Sequence, residues 1–210
     1  MAYDLQEQDQ LDAFKAFWKT YGNLLLTVVT VVLLAIAGWR GWAWWQQKQA
    51  FEASAVYEQL RTAFERKDVD KVKQAAGTLF EKYPGTVYGS MGALLAARAH
   101  HDAGDLRAAR APLEWAVDKA KDPDHRLIAR LRLAGVLLDE KAYDEGLKVL
   151  AVTETGGFAG SFADRRGDLL LAQGKTDEAR AAYRDALGRL EPGDALRPLV
   201  QLKLDALGGA

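Results

Sequence analysis

FADRRGDLLLAQGKTDEARAAYRDALGRLEP, residues 162–192, decides how most of this chain folds. It reads as two helices about a tight turn. Gly167 sits where the first helix needs a small residue, and Gly174 marks the turn. Ala179, Tyr183 and Ala186 then recur at i, i+4 and i+7, one face of a second helix, and Pro192 closes the unit. Small residues let paired helices approach closely, and Tyr183 fills the hole beside them.

The same turn occurs four times. KDVDKVKQAA (67–76), GDLRAARAPL (104–113), KAYDEGLKVL (141–150) and GKTDEARAAY (174–183) start 37, 37 and 33 residues apart, each between apolar helical segments. The period and the small residues match the tetratricopeptide pattern of about 34 residues. In the second copy Ala97, Gly104, Ala109, Leu113 and Ala116 take equivalent places before Pro123; in the third, Ala134, Lys141, Gly146 and Leu150 do so, with Gly146 a weak choice inside a helix. The first is most degenerate, though Val72, Ala76, Leu79 and Pro84 keep the spacing. Pro112 is expected to bend or shorten its helix. Beyond Pro192, Leu196, Val200, Leu204 and Leu207 form an apolar stripe with Gln201 and Asp205 turned away, the terminal cap such arrays need.

The N-terminal part has another character. TYGNLLLTVVTVVLLAIAGWRGWAWWQQKQ, residues 20–49, is uncharged from Leu24 to Gly38 and long enough to cross a hydrocarbon layer of roughly 30 Å. Trp18 and Tyr21 on one side and Trp39, Trp42, Trp44 and Trp45 on the other are placed for the two lipid–water boundaries, with Arg40 able to snorkel to the headgroups. A buried core helix has no use for such a belt. Ala35-Ile36-Ala37 fits a signal-peptidase site, but the preceding region is long and net acidic and the apolar run continues past it, which favours an uncleaved anchor. Leu11, Phe14, Trp18 and Tyr21 recur at i, i+3, i+7 and i+10, an amphipathic helix expected to lie along the interface before the chain turns to cross. Lys15 and Lys19 before the span balance Arg40 and Lys48 after it, so charge leaves the orientation open.

The expected fold class is therefore all-α. A single N-terminal transmembrane helix is followed by a tetratricopeptide-like α-solenoid of about four helix pairs with a C-terminal capping helix. The expected divisions are an amphipathic segment at 1–22, the membrane helix with its aromatic belt at 23–45, and the repeat domain at 46–210, its cap at 193–207.

Chemistry is hard to place on this chain. There is no cysteine, which removes disulfides, thiolate catalysis and Cys-type zinc sites. The 28 basic and 29 acidic residues are well mixed, with no basic stripe for nucleic acid. His100 and His101 lie about 100° apart on a helix, and these and His125 read as solvated or turn residues. Asp164 and Asp168 share a helix face, with Arg165 and Arg166 beside them for ordinary ion pairs. No catalytic residue, metal site, cofactor site or small-molecule substrate is expected, and the chain reads as a non-enzyme. Such an array offers a groove lined by its first helices. The candidate protein-binding positions are Met91, Leu94, Arg98 and His101 on one such helix and Asp164 and Asp168 on another, with core packing the competing role for Met91 and Leu94.

DQLDAFKAFWKTYGN, GWRGW, YPGTVYG, RLRLAGVLLDEKAYDEGLKVL, DRRGDLLLAQGKTDEARAAYRDAL and PLVQLKLDAL occur in that order along essentially the whole chain. In this order they resemble the YfgM family, ancillary subunits of the SecYEG translocon. The resemblance implies a bacterial inner-membrane protein with a cytoplasmic N-terminus and a periplasmic repeat domain, associated with membrane lipid, with SecYEG and with a periplasmic chaperone resembling PpiD. It implies a role in handing emerging proteins to periplasmic chaperones, and a looser cytoplasmic link to a stress-response regulator. It supplies no catalytic motif. The run Trp42–Trp45 is heavier than the family leads one to expect, leaving open whether these rings meet lipid or a neighbouring helix. From the residues alone, a tetratricopeptide adaptor in another cell-envelope assembly process stays open as the alternative.

Overall fold

The computed structural model describes residues 2–208, with side chains from residue 10 onward. The described residues form nine α-helices and a short 3-10 turn, with no strand: α1 (Ala2–Glu65), α2 (Val69–Lys82), α3 (Val87–Asp102), α4 (Leu106–Lys119), α5 (Pro123–Asp139), α6 (Tyr143–Leu150), the turn Gly156–Phe158, α7 (Ala159–Ala172), α8 (Thr176–Arg189) and α9 (Arg197–Ala206). They divide into two units, residues 1–48 and 49–210, and α1 contributes to both.

In the first unit the described apolar side chains along the span of α1 are exposed. Leu24 is 63% exposed, Val31 60% and Leu34 67%, the inverse of a core helix and what a membrane-spanning helix requires. The hydroxyls of Thr27 and Thr30 bond back to the carbonyls of Asn23 and Leu26 at 2.8 and 2.7 Å, so neither enters lipid unsatisfied. At about 1.5 Å per residue, the 18 steps from Tyr21 to Trp39 span about 27 Å, close to the thickness of a hydrocarbon core. The expected turn before the span is absent: α1 is unbroken from Ala2. Nothing in residues 11–23 stops a helix, and the ring of Trp18 lies over Gly22, which contributes no side chain to obstruct it.

The second unit is a stack of helical hairpins. The end of α1 packs against α2 through Ala53, Leu60 and Ala63, α3 pairs with α4, α5 with α6 and α7 with α8, and α9 closes the array. Its core is four apolar clusters, each shared between consecutive hairpins rather than gathered at one centre. One joins Ala53 and Leu60 to Val72, Leu79 and Ala96; another joins Ala93 and Leu94 to Leu113 and Leu133. The third sets Ala134 and Leu150 against Phe162 and Leu169, and the last binds Ala179, Tyr183 and Ala186 to Val200 and Leu204 of the cap. Nearest-neighbour packing of this kind defines a solenoid.

The four related turns share one backbone feature. Lys67, Gly104, Lys141 and Gly174, the first residue of each, have φ of 58°, 78°, 61° and 77°, the left-handed conformation that lets a short connection reverse the chain. Asp68 and Asp105 next cap the following helices, accepting from the backbone N–H of Lys71 at 3.1 Å and Ala108 at 2.9 Å. Ala142 and Lys175 provide no such side-chain cap.

The expected shortening of α4 by Pro112 and the expected weakness of Gly146 are corrected. Pro112 does not shorten α4, which has the same 14 residues as α2 and α8. Pro112 is buried beside Leu113 and Ala116, and the packing of that face outweighs the lost bond to the Ala108 carbonyl. Gly146 is not a weak choice: a Cβ there would meet Cδ2 of Leu169 at 2.8 Å, so the missing side chain lets α7 approach α6.

Candidate functional site

The first helices α3, α5 and α7 lie side by side and, with Leu113 of α4, line a groove of about 480 Å³. Its floor is apolar, from Ala97, Leu113 and Val136, and its rim is charged. Arg98 reaches Asp102 at 3.6 Å and rests over the ring of Phe64, 5.8 Å from its centroid. The Nε2–H of His101 donates to Asp139 across the α3–α5 seam at 2.9 Å. Arg165 lies against Gly135, where a Cβ would stand 3.7 Å from Cζ, and pairs with Asp168 at 3.4 Å. Arg132 donates through Nη1 to the Leu94 carbonyl at 3.2 Å. Partial burial, then the charge of Arg98, lowers the Arg132 pKa from its ordinary value.

Only two of the six candidate groove residues line this groove, Arg98 and His101. Leu94 is in the core beneath it, which holds α3 against α4 and α5, and Met91 is half-buried outside the lining. Asp164 and Asp168 lie toward the C-terminal end of the array, covered by the cap. Lys203 of α9 donates to both oxygens of Asp164, at 2.8 and 3.0 Å, and to Asp168 at 2.7 Å. Asp168 also accepts from the Tyr183 hydroxyl at 2.9 Å. Burial raises the Asp164 carboxyl, the bonds from Lys203 draw it back, and the nearby Asp168 charge raises it again. Burial and then the Asp168 charge push the Tyr183 hydroxyl up, so it stays a donor. Arg165 contributes to this cluster, as the sequence indicated, but the dominant cation is Lys203, 39 positions from Asp164.

The groove residues that were missed carry a signal in the repeat register. Arg132 and Arg165 each stand nine positions before their turns at 141 and 174, and Asp102 and Asp139 each stand two before theirs at 104 and 141. Comparing equivalent positions, rather than choosing within single helices, brings them out.

Two histidines are not solvated turn residues. His100 is buried at 7% exposure, its pKa is lowered chiefly by that burial, and its Nδ1 has no partner among the described residues. Nδ1 of His125 is 2.8 Å from the buried hydroxyl of Ser90, which itself donates to the Val87 carbonyl at 2.9 Å. Ser90 accepts the histidine proton in that arrangement and ties α5 to α3; at 3% exposure its oxygen has no access to a substrate. Among the described residues, no three His, Asp or Glu side chains gather with metal-ligand geometry.

The membrane-interface candidates Trp18, Tyr21, Trp39, Arg40, Trp42, Trp44 and Trp45 are all exposed on α1. Lys48 lies over the Trp44 ring, 5.8 Å from its centroid.

A membrane helix and a stack of helical hairpins define a helical-repeat protein with a single N-terminal membrane helix. The tetratricopeptide repeat-like domain family matches residues 15–209. A protein of Neisseria gonorrhoeae described as an ancillary SecYEG translocon subunit is 33% identical over 208 residues, 99% of this chain and all of that one. Proteins of the same description from Escherichia coli and Haemophilus influenzae are 30% and 27% identical, over 96% and 89% of this chain and 96% and 91% of their own lengths. The chain belongs to the tetratricopeptide repeat-like family and, within it, to the YfgM family of ancillary SecYEG translocon subunits.

Proposed function

We propose that this chain is a non-enzymatic, single-pass scaffold of the bacterial inner membrane that associates with the SecYEG translocon. Its N-terminus is cytoplasmic and its repeat domain periplasmic, where the groove couples emerging secretory proteins to a chaperone resembling PpiD. The observation that carries this reading is the span of the likeness. Relatives described as ancillary translocon subunits align over both the anchor and the array, not over the repeats alone. The groove supports it physically: apolar floor and charged rim offer a polypeptide both burial and orientation. Tethering raises the effective concentration of a modest binder, so weak contacts suffice beside a channel. The rings of α1 take lipid at both boundaries in this arrangement.

The test is mild-detergent purification of the tagged full chain from its native membrane. The translocon channel is expected in the eluate; its absence, with other envelope-assembly proteins in its place, defeats the assignment. A reporter that is active only in the cytoplasm, fused after Ala210, is expected to stay silent, and strong activity there reverses the orientation.

A further inference from the structure

Three arginines face the groove, and they are not equally satisfied. Arg98 has Asp102 and the ring of Phe64, and Arg165 has Asp168. No described carboxylate pairs with Arg132. One of its five N–H donors is spent on a backbone carbonyl, and it lies between helices that carry the other two cations. The acids of the same groove are already engaged, Asp102 by Arg98 and Asp139 by His101. The groove centre therefore presents a planar fork of donors, under-compensated in charge, above the apolar floor made by Ala97, Leu113 and Val136.

We propose that Arg132, flanked by Arg98 and Arg165, is the receptor for a side-chain carboxylate of an extended acidic peptide segment of a partner protein. The inference rests on the reading of this groove as a protein-docking surface and adds the chemistry that selects the occupant. Charge complementarity favours the acid, because a carboxylate matches the guanidinium fork in a bidentate pair whereas a neutral amide does not. The apolar floor favours a peptide over a free ion, since a small hydrated anion leaves those side chains uncovered. A surface pair holds Arg98 and a part-buried pair holds Arg165, so both steer the ligand while Arg132 receives it.

The test uses the full chain in a neutral detergent and two amidated, rhodamine-labelled octapeptides of alanine and leucine. One carries two central glutamates and its twin two central glutamines. The glutamate peptide is expected to bind at least about tenfold more tightly, the scale of one charge-assisted bond pair. Arg132→Gln is expected to abolish the preference, and Arg165→Gln to reduce it, with the circular dichroism of both variants unchanged. Arg189→Gln on α8, outside the groove, is expected to leave the preference intact. Failure of the glutamate peptide to bind, equal binding of the twins, or a preference that survives Arg132→Gln overturns the proposal. Displacement of the peptide by inorganic phosphate at constant ionic strength also overturns it, as the mark of an unselective anion site. Docking in the groove is tested separately by crosslinking from His101, so the general reading and this refinement can fail independently.

Discussion

Replacing Lys203 with methionine is expected to release the C-terminal end of the array while leaving the rest folded. Asp164 is nearly inaccessible, its side chain 8% exposed, and Lys203 is the partner that satisfies both of its oxygens. Breaking a buried ion pair from one side costs about 3–5 kcal/mol, because the remaining charge stays desolvated. Lys203 itself is 24% exposed, so water relieves part of that penalty and the low end, about 3 kcal/mol, applies. The cap keeps other ties, from Arg180 to the Leu207 carbonyl and from Arg197 to the carbonyls of Leu187 and Leu190. The loss is therefore expected as more frequent local opening rather than an absent helix. In a stack with nearest-neighbour coupling, about 3 kcal/mol corresponds to roughly 100-fold faster amide exchange in α8 and α9, with α3 and α4 unaffected. The effect depends on pH with a definite sign. A carboxyl whose folded pKa is raised gives stability that is full below its unfolded pKa and lost as pH rises through the folded value. Removing Lys203 raises that folded value further, so the variant is expected to be harmed more at pH 7 than near pH 4. Adding Asp164→Asn is expected to restore most of the protection at pH 7. Hydrogen exchange by mass spectrometry on the full chain in detergent reads all of this. An exchange change below about threefold in α9, or equal damage at both pH values, refutes the role given to Asp164.

Gly167→Ala places a Cβ against the Tyr183 ring, touching Cε1 and standing 2.6 Å from Cδ1 and 2.9 Å from Cζ; the ring cannot retreat, because its hydroxyl is fixed to Asp168 and it is 1% exposed. Overpacking of about 1–3 kcal/mol, less roughly 1 kcal/mol of helix propensity gained, predicts a lower urea midpoint followed by circular dichroism, and a raised midpoint places Tyr183 elsewhere. Lys67→Gly and Lys141→Gly remove non-glycine residues from left-handed turns, a conformation disfavoured by about 1–2 kcal/mol per residue. Set against the backbone entropy of glycine, about 0.5–1 kcal/mol, each is expected to raise the midpoint slightly, and a fall shows that the lysine side chains contribute more than their turns cost.

The repeat register was legible because it is local. Lys67, Gly104, Lys141 and Gly174 were placed in phase from turn chemistry and small-residue spacing alone, and they share the left-handed conformation. The membrane helix was legible for a similar reason, since length and lack of charge need no partner. What escaped depends on contacts between distant elements. Nothing near Asp164 in sequence announces that Lys203 closes over it, and Gly146 looks unfavourable until Leu169 is seen against it. The groove candidates were chosen from single helices, whereas the groove is a property of three. Arg132 and Arg165 become visible only when their helices are laid in register.

The central claim is that the groove of an anchored array receives a protein partner at the channel. A photo-crosslinking residue at His101, on the groove rim, tests it in intact cells, with Asp118 on the second helix α4 as the reference position. The account predicts a discrete adduct from position 101 with a periplasmic chaperone or a channel subunit, absent from position 118. Adducts from position 118 alone, with position 101 silent in a chain that is folded and inserted, contradict it.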